Sequence, residues 1–356
     1  MTQTAIPNVY ASGRLPKAAP WLILAGSLAI SIVAFALLAA AGATDGLNIT
    51  GAIIVGALLY ASLLFISSLL IEGGRRAKDR LITTLVGAAF LIALAPLISL
   101  VVTVIVNGSA RFDATFFTWS MRNIVGEGGG FLHAIIGTLL MTLTAAVISV
   151  PVGLLTSIYL VEYGRGALAR AITFLVDVMT GIPSIVAGLF AYAAFALIFG
   201  PGTKIGLAGA ISLAVIMIPV VVRSSEDMLK VVPNELREAA LALGVPRWLM
   251  ILKVVLPTAI AGITTGIMLA IARVIGETAP LLIAAGFTNN MNYNLLEGRM
   301  QSLPVAVYNS YVSQGVDAQA YLDRAWAGAL TLIVIVMLLN IIARIIARYF
   351  APKSGR

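Results

Sequence analysis

The chain has 356 residues, of which 60% are hydrophobic and 11% are charged, and its mean hydropathy is +1.03. A soluble domain carries about twice this charged fraction, so the composition predicts a protein whose natural solvent is a lipid bilayer. With no cysteine and one histidine, the sequence excludes disulfides, thiolate nucleophiles and Cys- or His-rich metal sites. The net charge of +8 is therefore interpreted as a membrane-orientation signal, and we expect no nucleic-acid partner.

Eight stretches are apolar and long enough to be membrane-spanning helices. A spanning helix needs about 20 mostly apolar residues. The stretches are residues 21–43, 50–71, 81–106, 131–161, 171–199, 205–222, 254–285 and 326–347. The predicted fold class is an all-α integral membrane protein with about eight transmembrane helices.

The distribution of lysine and arginine predicts the orientation of these helices. With a cytoplasmic N-terminus, 17 of the 23 basic residues fall in cytoplasmic segments and 5 in outer loops. This asymmetry follows the positive-inside rule and predicts that both termini are cytoplasmic. The inner segments then include loops 72–80 and 223–253 and the tail 348–356, whereas segments 107–130 and 286–325 lie outside, the latter folded over the outer surface.

The predicted inner loop 223–253, here called the coupling loop, contains a short amphipathic helix in VPNELREAALALG. Asn234 is predicted as its N-cap and Gly244 as its C-terminal glycine, and Pro246 is placed to open a second helix. One face of the helix is apolar, formed by Leu236, Ala239, Ala240 and Leu243. Such a face fits a groove on another protein, or alternatively rests on lipid head groups.

Few ionisable residues fall within the predicted spans, namely Asp177, Arg273 and Glu277, with Arg223 at a span boundary. A charge at mid-bilayer costs about 2.5–3.5 kcal/mol on insertion scales, so these groups are expected to face partners or a substrate path. Arg273 and Glu277 are four residues apart and are predicted to share a helix face. Asp177 is a further candidate partner of Arg273. These residues either fix helix packing, with Arg223 as a boundary anchor, or line a path for an anion.

The coupling loop resembles the EAA signature of binding-protein-dependent ABC importer permeases. The match consists of Glu238-Ala239-Ala240, Gly244 and Leu256-Pro257, with Val254 in place of the usual isoleucine. The resemblance implies a type I permease core whose coupling helix docks into a separate ATPase. It assigns this coupling to Glu238, Ala239, Ala240, Gly244, Pro246, Leu256 and Pro257.

The chain carries no nucleotide-binding motif of its own. No G-x4-G-K-[ST] sequence occurs, and GPGTKIG at residues 200–206 is too short and lies on the predicted outer side. We therefore expect a transporter subunit rather than an enzyme, with no cofactor in this chain and with ATP and magnesium on the partner ATPase.

Four further stretches resemble the phosphate-specific, PstA-type branch of this family, at residues 180–190, 218–244, 272–286 and 303–329. The resemblance implies that Arg223, Arg273 and Glu277 line the phosphate path, and for Asp177 it gives placement only. It implies a bacterial inner-membrane location among membrane lipid. The implied partners are a PstC-type companion permease, PstB-type ATP-binding subunits and an extracytoplasmic PstS-type phosphate-binding protein.

The predicted domain organisation is an N-terminal membrane extension at residues 1–130, a permease core at 131–347 and a cytoplasmic tail at 348–356. The extension is one departure from the family, whose members usually have a single helix before the core. Other readings stay open at this point: a permease for sulfate or molybdate, which shares the EAA signature, or an ion-coupled secondary transporter. An enzyme embedded in the membrane is disfavoured, because it would need a nucleophile or metal ligands and the chain has no cysteine and one histidine.

Overall fold

The computed structural model describes residues 13–42 and 46–350, and every regular element in these ranges is helical. The helices are α1 (Ala19–Ala40), α2 (Ile49–Ile71), α3 (Gly74–Gly108), α4 (Ala114–Thr118), α5 (Leu132–Ile158), α6 (Gly166–Gly181), α7 (Ser184–Phe199), α8 (Gly206–Val231), α9 (Asn234–Ala242), α10 (Arg247–Met250), α11 (Leu256–Ile275), α12 (Ala279–Ala284), α13 (Leu303–Val312) and α14 (Ala318–Phe350). Two π-helical segments, Tyr159–Tyr163 and Ile251–Val255, continue α5 and join α10 to α11. The all-α prediction is confirmed; residues 351–356 of the predicted tail lie outside the described residues.

Seven helical stretches in the described part of the chain are long and apolar enough to cross a membrane, and a bent pair raises the number to eight. The bent pair is α6 and α7, which meet at 108°. The predicted fifth span, 171–199, is therefore broken rather than straight. Pro183 lies at the break, where it disfavours a helical conformation of the preceding residue and contributes no N–H donor.

The predicted seventh span, 254–285, is also not one helix. Helix α11 ends at Ile275, and α12 begins at Ala279 after three intervening residues, with Pro280 in its first turn. Gly276 is the C-cap residue of α11. The GETAP sequence thus interrupts the helix at a depth where irregular backbone is tolerated only inside protein or along a polar cavity.

The structure divides into two compact units at Val101 and Val102, called here the N-terminal unit and the core unit. Within the N-terminal unit, α1 and α2 pack closely: the Ser31 hydroxyl donates to the Ala52 carbonyl over 2.7 Å. A methyl group on Gly56 would lie 2.8 Å from the Leu28 side chain, so glycine is needed at this crossing. The functional boundary at residue 130 stays a prediction.

The centre of the core unit is formed by α5, α8, α11 and α12. Met141, Leu213, Met217, Val221 and Val274 are fully buried there. Because α8 carries buried residues along most of its length, it is the axis on which the other core helices are positioned.

The middle part of the predicted outer segment 286–325 is buried, at residues 300–306; the location of this segment on the outer side stays a prediction. The Leu303 N–H donates to the Thr138 hydroxyl over 2.6 Å, and His133 Nε2 lies 3.2 Å from Gln301 Oε1. One buried backbone N–H of this segment and one of its buried side chains thus have polar partners on α5, which lowers the free-energy cost of burying them.

Candidate functional site

Helix α9 is the amphipathic helix of the coupling loop, and its end is fixed by Gly244. The Gly244 N–H donates to the Leu241 carbonyl over 3.0 Å, and the Val245 N–H donates to the Ala240 carbonyl over 3.2 Å. This pair of bonds is a Schellman motif, which requires the left-handed conformation that Gly244 adopts at φ +80°. The prediction that Gly244 ends the helix is confirmed. The predicted N-cap is wrong, because Pro233 and not Asn234 is the N-cap residue.

The predicted apolar stripe of α9 is divided between two environments. Ala240 is buried in a cluster with Leu229, Met250 and Val255. Leu236, Ala239 and Leu243 are instead exposed, Leu243 to 84%. One position of the stripe thus anchors the helix to its own chain, and the other three leave an apolar surface open.

The remaining residues of the EAA motif lie in α9 itself and at the starts of the two helices that follow it. Glu238 is exposed. Pro246 is the N-cap residue of α10, and Leu256 and Pro257 form the first turn of α11. Pro257 fits there because a helix leaves its first N–H groups without internal partners.

Arg237 is a functional candidate that the sequence pattern does not indicate, and its guanidinium joins α9 to two other elements. It donates to the Leu229 carbonyl over 2.8 Å and to the Val232 carbonyl over 2.6 Å, both at the end of α8. It also forms an ion pair with Glu162 at 2.9 Å, in the π-helical segment after α5. The two side chains are only 14% and 6% exposed, so a displacement of α9 must be transmitted to α8 and α5 or must break buried hydrogen bonds. We call this set of contacts the Arg237 clamp.

Arg223 on α8 is the centre of an ion-pair network. Its guanidinium binds Asp177 of α6 and donates to Glu226 over 2.8 Å. Glu226 is in turn 2.7 Å from Lys230. Asp177, predicted as a candidate partner of Arg273, therefore pairs with Arg223.

Arg273 lies in the last turn of α11 and has no ion-pair partner among the described residues. The predicted helix face shared with Glu277 does not form, because α11 ends at Ile275 before Glu277 is reached. Arg273 instead lines a small cavity of about 20 Å³ together with residues next to the α6–α7 break, including Thr180 and Ile182.

Arg273 of α11 and Arg223 of α8 lie at different heights along the axis of α8. The cavity at Arg273 is also lined by Pro219 and Val220, and Pro219 precedes Arg223 by four residues, which is a rise of about 6 Å in a helix. The Arg273 level coincides with the breaks before α7 and α12. Interrupted helices of this kind line substrate sites in membrane transporters, where the backbone at the break contacts a polar path.

Among the described residues, no group of three or more His, Cys, Asp or Glu side chains is placed to hold a metal ion. The candidate site comprises the guanidinium groups of Arg223 and Arg273, the carboxylates of Asp177, Glu226 and Glu277, and the coupling loop.

Comparison with known proteins assigns the family. Residues 149–356 match the family model described as "Binding-protein-dependent transport system inner membrane component". The chain is 43% identical over 285 residues to the phosphate transport system permease protein PstA 1 of Mycobacterium tuberculosis, covering 79% of this chain and 91% of the relative. It is 41% identical over 281 residues to the PstA of Pasteurella multocida, covering 79% and 97% of the two chains.

Solved structures show the same fold at low sequence identity. A bacterial alginate ABC transporter in complex with an alginate pentasaccharide-bound periplasmic protein matches with a TM-score of 0.54 and 14% identity, over 80% of this chain and all of the other. A second structure, of a bacterial ABC transporter involved in the import of alginate, matches with a TM-score of 0.51 and 14% identity, over 78% and 99% of the chains. The chain therefore belongs to the family of binding-protein-dependent transport system inner membrane components and, within it, to the PstA-type permeases.

Proposed function

We infer that this multi-pass inner-membrane protein is the permease subunit of an ATP-driven importer of inorganic phosphate. The observation that carries this inference is Arg273, an arginine without a carboxylate partner in the described chain, located where two interrupted helices meet. A guanidinium remains charged at all physiological pH values and matches two phosphate oxygens at once. The PstA-type relatives at about 40% identity support phosphate over sulfate or molybdate.

Arg223 is expected to act after Arg273 on the same path. Two carboxylates, of Asp177 and Glu226, hold its guanidinium in this conformation. A phosphate ion reaching Arg223 must replace Asp177, and the return of Asp177 then favours release of the ion. The carboxylate of Glu277, close to Arg273 in sequence, is expected to limit how tightly the ion is held there.

The machinery that drives transport lies on other subunits. A PstC-type permease completes the path, a PstS-type protein delivers phosphate from outside, and PstB-type subunits bind ATP and magnesium. The exposed face of Leu236, Ala239 and Leu243 is proposed to dock, with Glu238, in a cleft of the ATPase. Both termini and the coupling loop then face the cytoplasm, as the charge distribution predicts.

The substrate is tested by uptake of labelled phosphate into cells that carry the complete transporter. We expect excess unlabelled phosphate to abolish uptake and equal excesses of sulfate or molybdate to leave it unchanged. Inhibition by sulfate or molybdate as strong as that by phosphate would show that the path is not specific for phosphate.

Coupling is tested at Gly244, where φ is +80° and where a β-carbon would meet no other atom within 4 Å. Gly244→Val is expected to lower uptake by about tenfold, because a β-branched residue disfavours this left-handed conformation by roughly 1–2 kcal/mol. Gly244→Asn is the matched control, since asparagine tolerates the same conformation. Equal uptake by the two variants, at equal membrane levels, would contradict a role for this helix end.

A further inference from the structure

We propose that the N-terminal unit binds a phosphate group, carried by a lipid head group or free in solution, in a cavity between Arg14 and Arg76. The proposal concerns a different part of the chain from the transport path and does not depend on the proposed function. It gives a role to the helices that precede the permease core.

The cavity has a volume of about 590 Å³ and lies within the N-terminal unit. Its walls come from the chain before α1, from α2, and from the turn and first residues of α3; they include Arg14, Tyr60, Leu64, Arg76, Asp79 and Thr83. Small-molecule sites typically have volumes of about 300–1,000 Å³, so a head group fits.

One acidic and one basic residue of the wall neutralise each other. Glu72 accepts hydrogen bonds from Arg80 at 2.6 and 2.9 Å and from the Ser68 hydroxyl at 2.8 Å. The hydrogen bonds from Arg80 lower the pKa of Glu72 to about 2, so the carboxylate stays ionised and the pair contributes no net charge. Glu72 also accepts from the Leu15 N–H over 3.0 Å, which holds the neighbouring Arg14 at the cavity.

The other charged residues of the wall leave an excess of positive charge. Arg14 and Arg76 have no ion-pair or hydrogen-bond partner among the described residues, and Asp79 is the one opposing carboxylate of the described lining outside the Glu72–Arg80 pair. Two unpaired guanidinium groups beside the hydroxyls of Tyr60 and Thr83 form a donor set suited to phosphate oxygens.

The position of the cavity favours a lipid as the source of this phosphate. It lies at the polar ends of α1, α2 and α3, whose apolar stretches are long enough to span the membrane. Trp21 and Ile82 are each next in sequence to a residue of the cavity wall, and their side chains are 73% and 61% exposed. They give the acyl chains of a lipid an apolar surface. Basic pockets between helices at this depth bind the head groups of anionic lipids.

The test measures binding of phosphatidylglycerol to the purified full-length chain in detergent, by native mass spectrometry. Arg14→Gln with Arg76→Gln is expected to weaken binding by about tenfold or more, since it removes both guanidinium groups of the wall that have no partner in the described chain. Arg75→Gln with Lys78→Gln is the matched control: it removes the same number of charges from the N-terminal unit, at exposed side chains outside the described lining. Asp79→Asn is expected to tighten binding, because it removes the opposing carboxylate.

Two further arms distinguish the sources of the phosphate group. Displacement of the lipid by millimolar inorganic phosphate, but not by chloride of equal ionic strength, would identify free phosphate as a competent occupant; no displacement would identify the lipid. Arg273 is intact in every variant, so phosphate binding on the transport path is constant across the series. Equal weakening by the two double variants, or no detectable lipid or phosphate binding by the unmodified chain, would overturn the proposal.

Discussion

Replacing Arg273 by glutamine is expected to lower phosphate uptake by about 10- to 100-fold, since a hydrogen bond to a charged group contributes about 1.5–3 kcal/mol. Arg273 is the guanidinium at the level where α7 and α12 begin. Without Arg273, the path at this level offers phosphate no fixed positive charge. The free energy that the ion loses on leaving water is then not compensated. Arg273→Lys keeps the charge but loses the planar pair of donors, so we expect an intermediate uptake.

Arg299→Gln is the control for this series. Arg299 is an exposed arginine of the predicted outer segment, so its replacement removes one positive charge from the same chain away from the path. Uptake and complex assembly should be near normal in this variant. If Arg273→Gln transported as fast as Arg299→Gln, Arg273 would not be part of the path.

Replacing Arg237 by glutamine is expected to abolish coupling and also to destabilise the protein. The clamp connects α9 with the end of α8 and with Glu162. Removing one partner of a buried ion pair costs about 3–5 kcal/mol, because the other charge stays buried without compensation. Two effects are thus superimposed, and a second variant is needed to separate them.

The double variant Arg237→Gln with Glu162→Gln separates stability from coupling. It contains no unpaired buried charge at this point, so thermal stability in detergent should recover relative to Arg237→Gln alone. The link between α9 and α8 is still weakened, so we expect continued ATP hydrolysis with uptake reduced by about tenfold; each tenfold step corresponds to about 1.4 kcal/mol.

Lys253→Gln, at an exposed lysine of the same loop without an ion-pair partner among the described residues, is the matched control for the clamp and should transport normally. Normal uptake by the stable double variant as well would show that force does not pass through Arg237. Loss of ATP hydrolysis together with uptake would instead point to a failure of assembly with the ATPase.

The sequence predicts most of the fold because lipid imposes it. Long apolar stretches with few charges have to be helices in a bilayer, and α1, α2, α3, α5 and α14 therefore follow the predicted spans. The breaks at Pro183 and at residues 276–278 do not follow from the hydropathy pattern, since apolar residues resume directly after both of them. A hydropathy pattern indicates which residues lie in an apolar medium, but it does not indicate where a helix breaks and the chain changes direction.

For the candidate site, local features were predictable and long-range pairs were not. The left-handed end of α9 follows from Gly244, because glycine is the residue that adopts this conformation without strain. The Arg237 clamp depends on Glu162, which is 75 residues away in the chain, and nothing in a single sequence indicates that pairing. For the same reason the sequence offers Arg273 only as a candidate partner of Asp177, which in the structure pairs with Arg223.

Site-specific cross-linking tests whether a separate ATPase drives transport through α9. The chain contains no cysteine, so one introduced cysteine is unique. Leu243→Cys, at an 84% exposed position of α9, is labelled with a maleimide that carries a photo-activated cross-linking group. On illumination it should form a covalent adduct with the ATP-binding subunit, and ATP should change the yield of this adduct. Val316→Cys, fully exposed before α14 on the predicted outer side, should give none. An adduct from residue 316 and none from residue 243 would contradict the account.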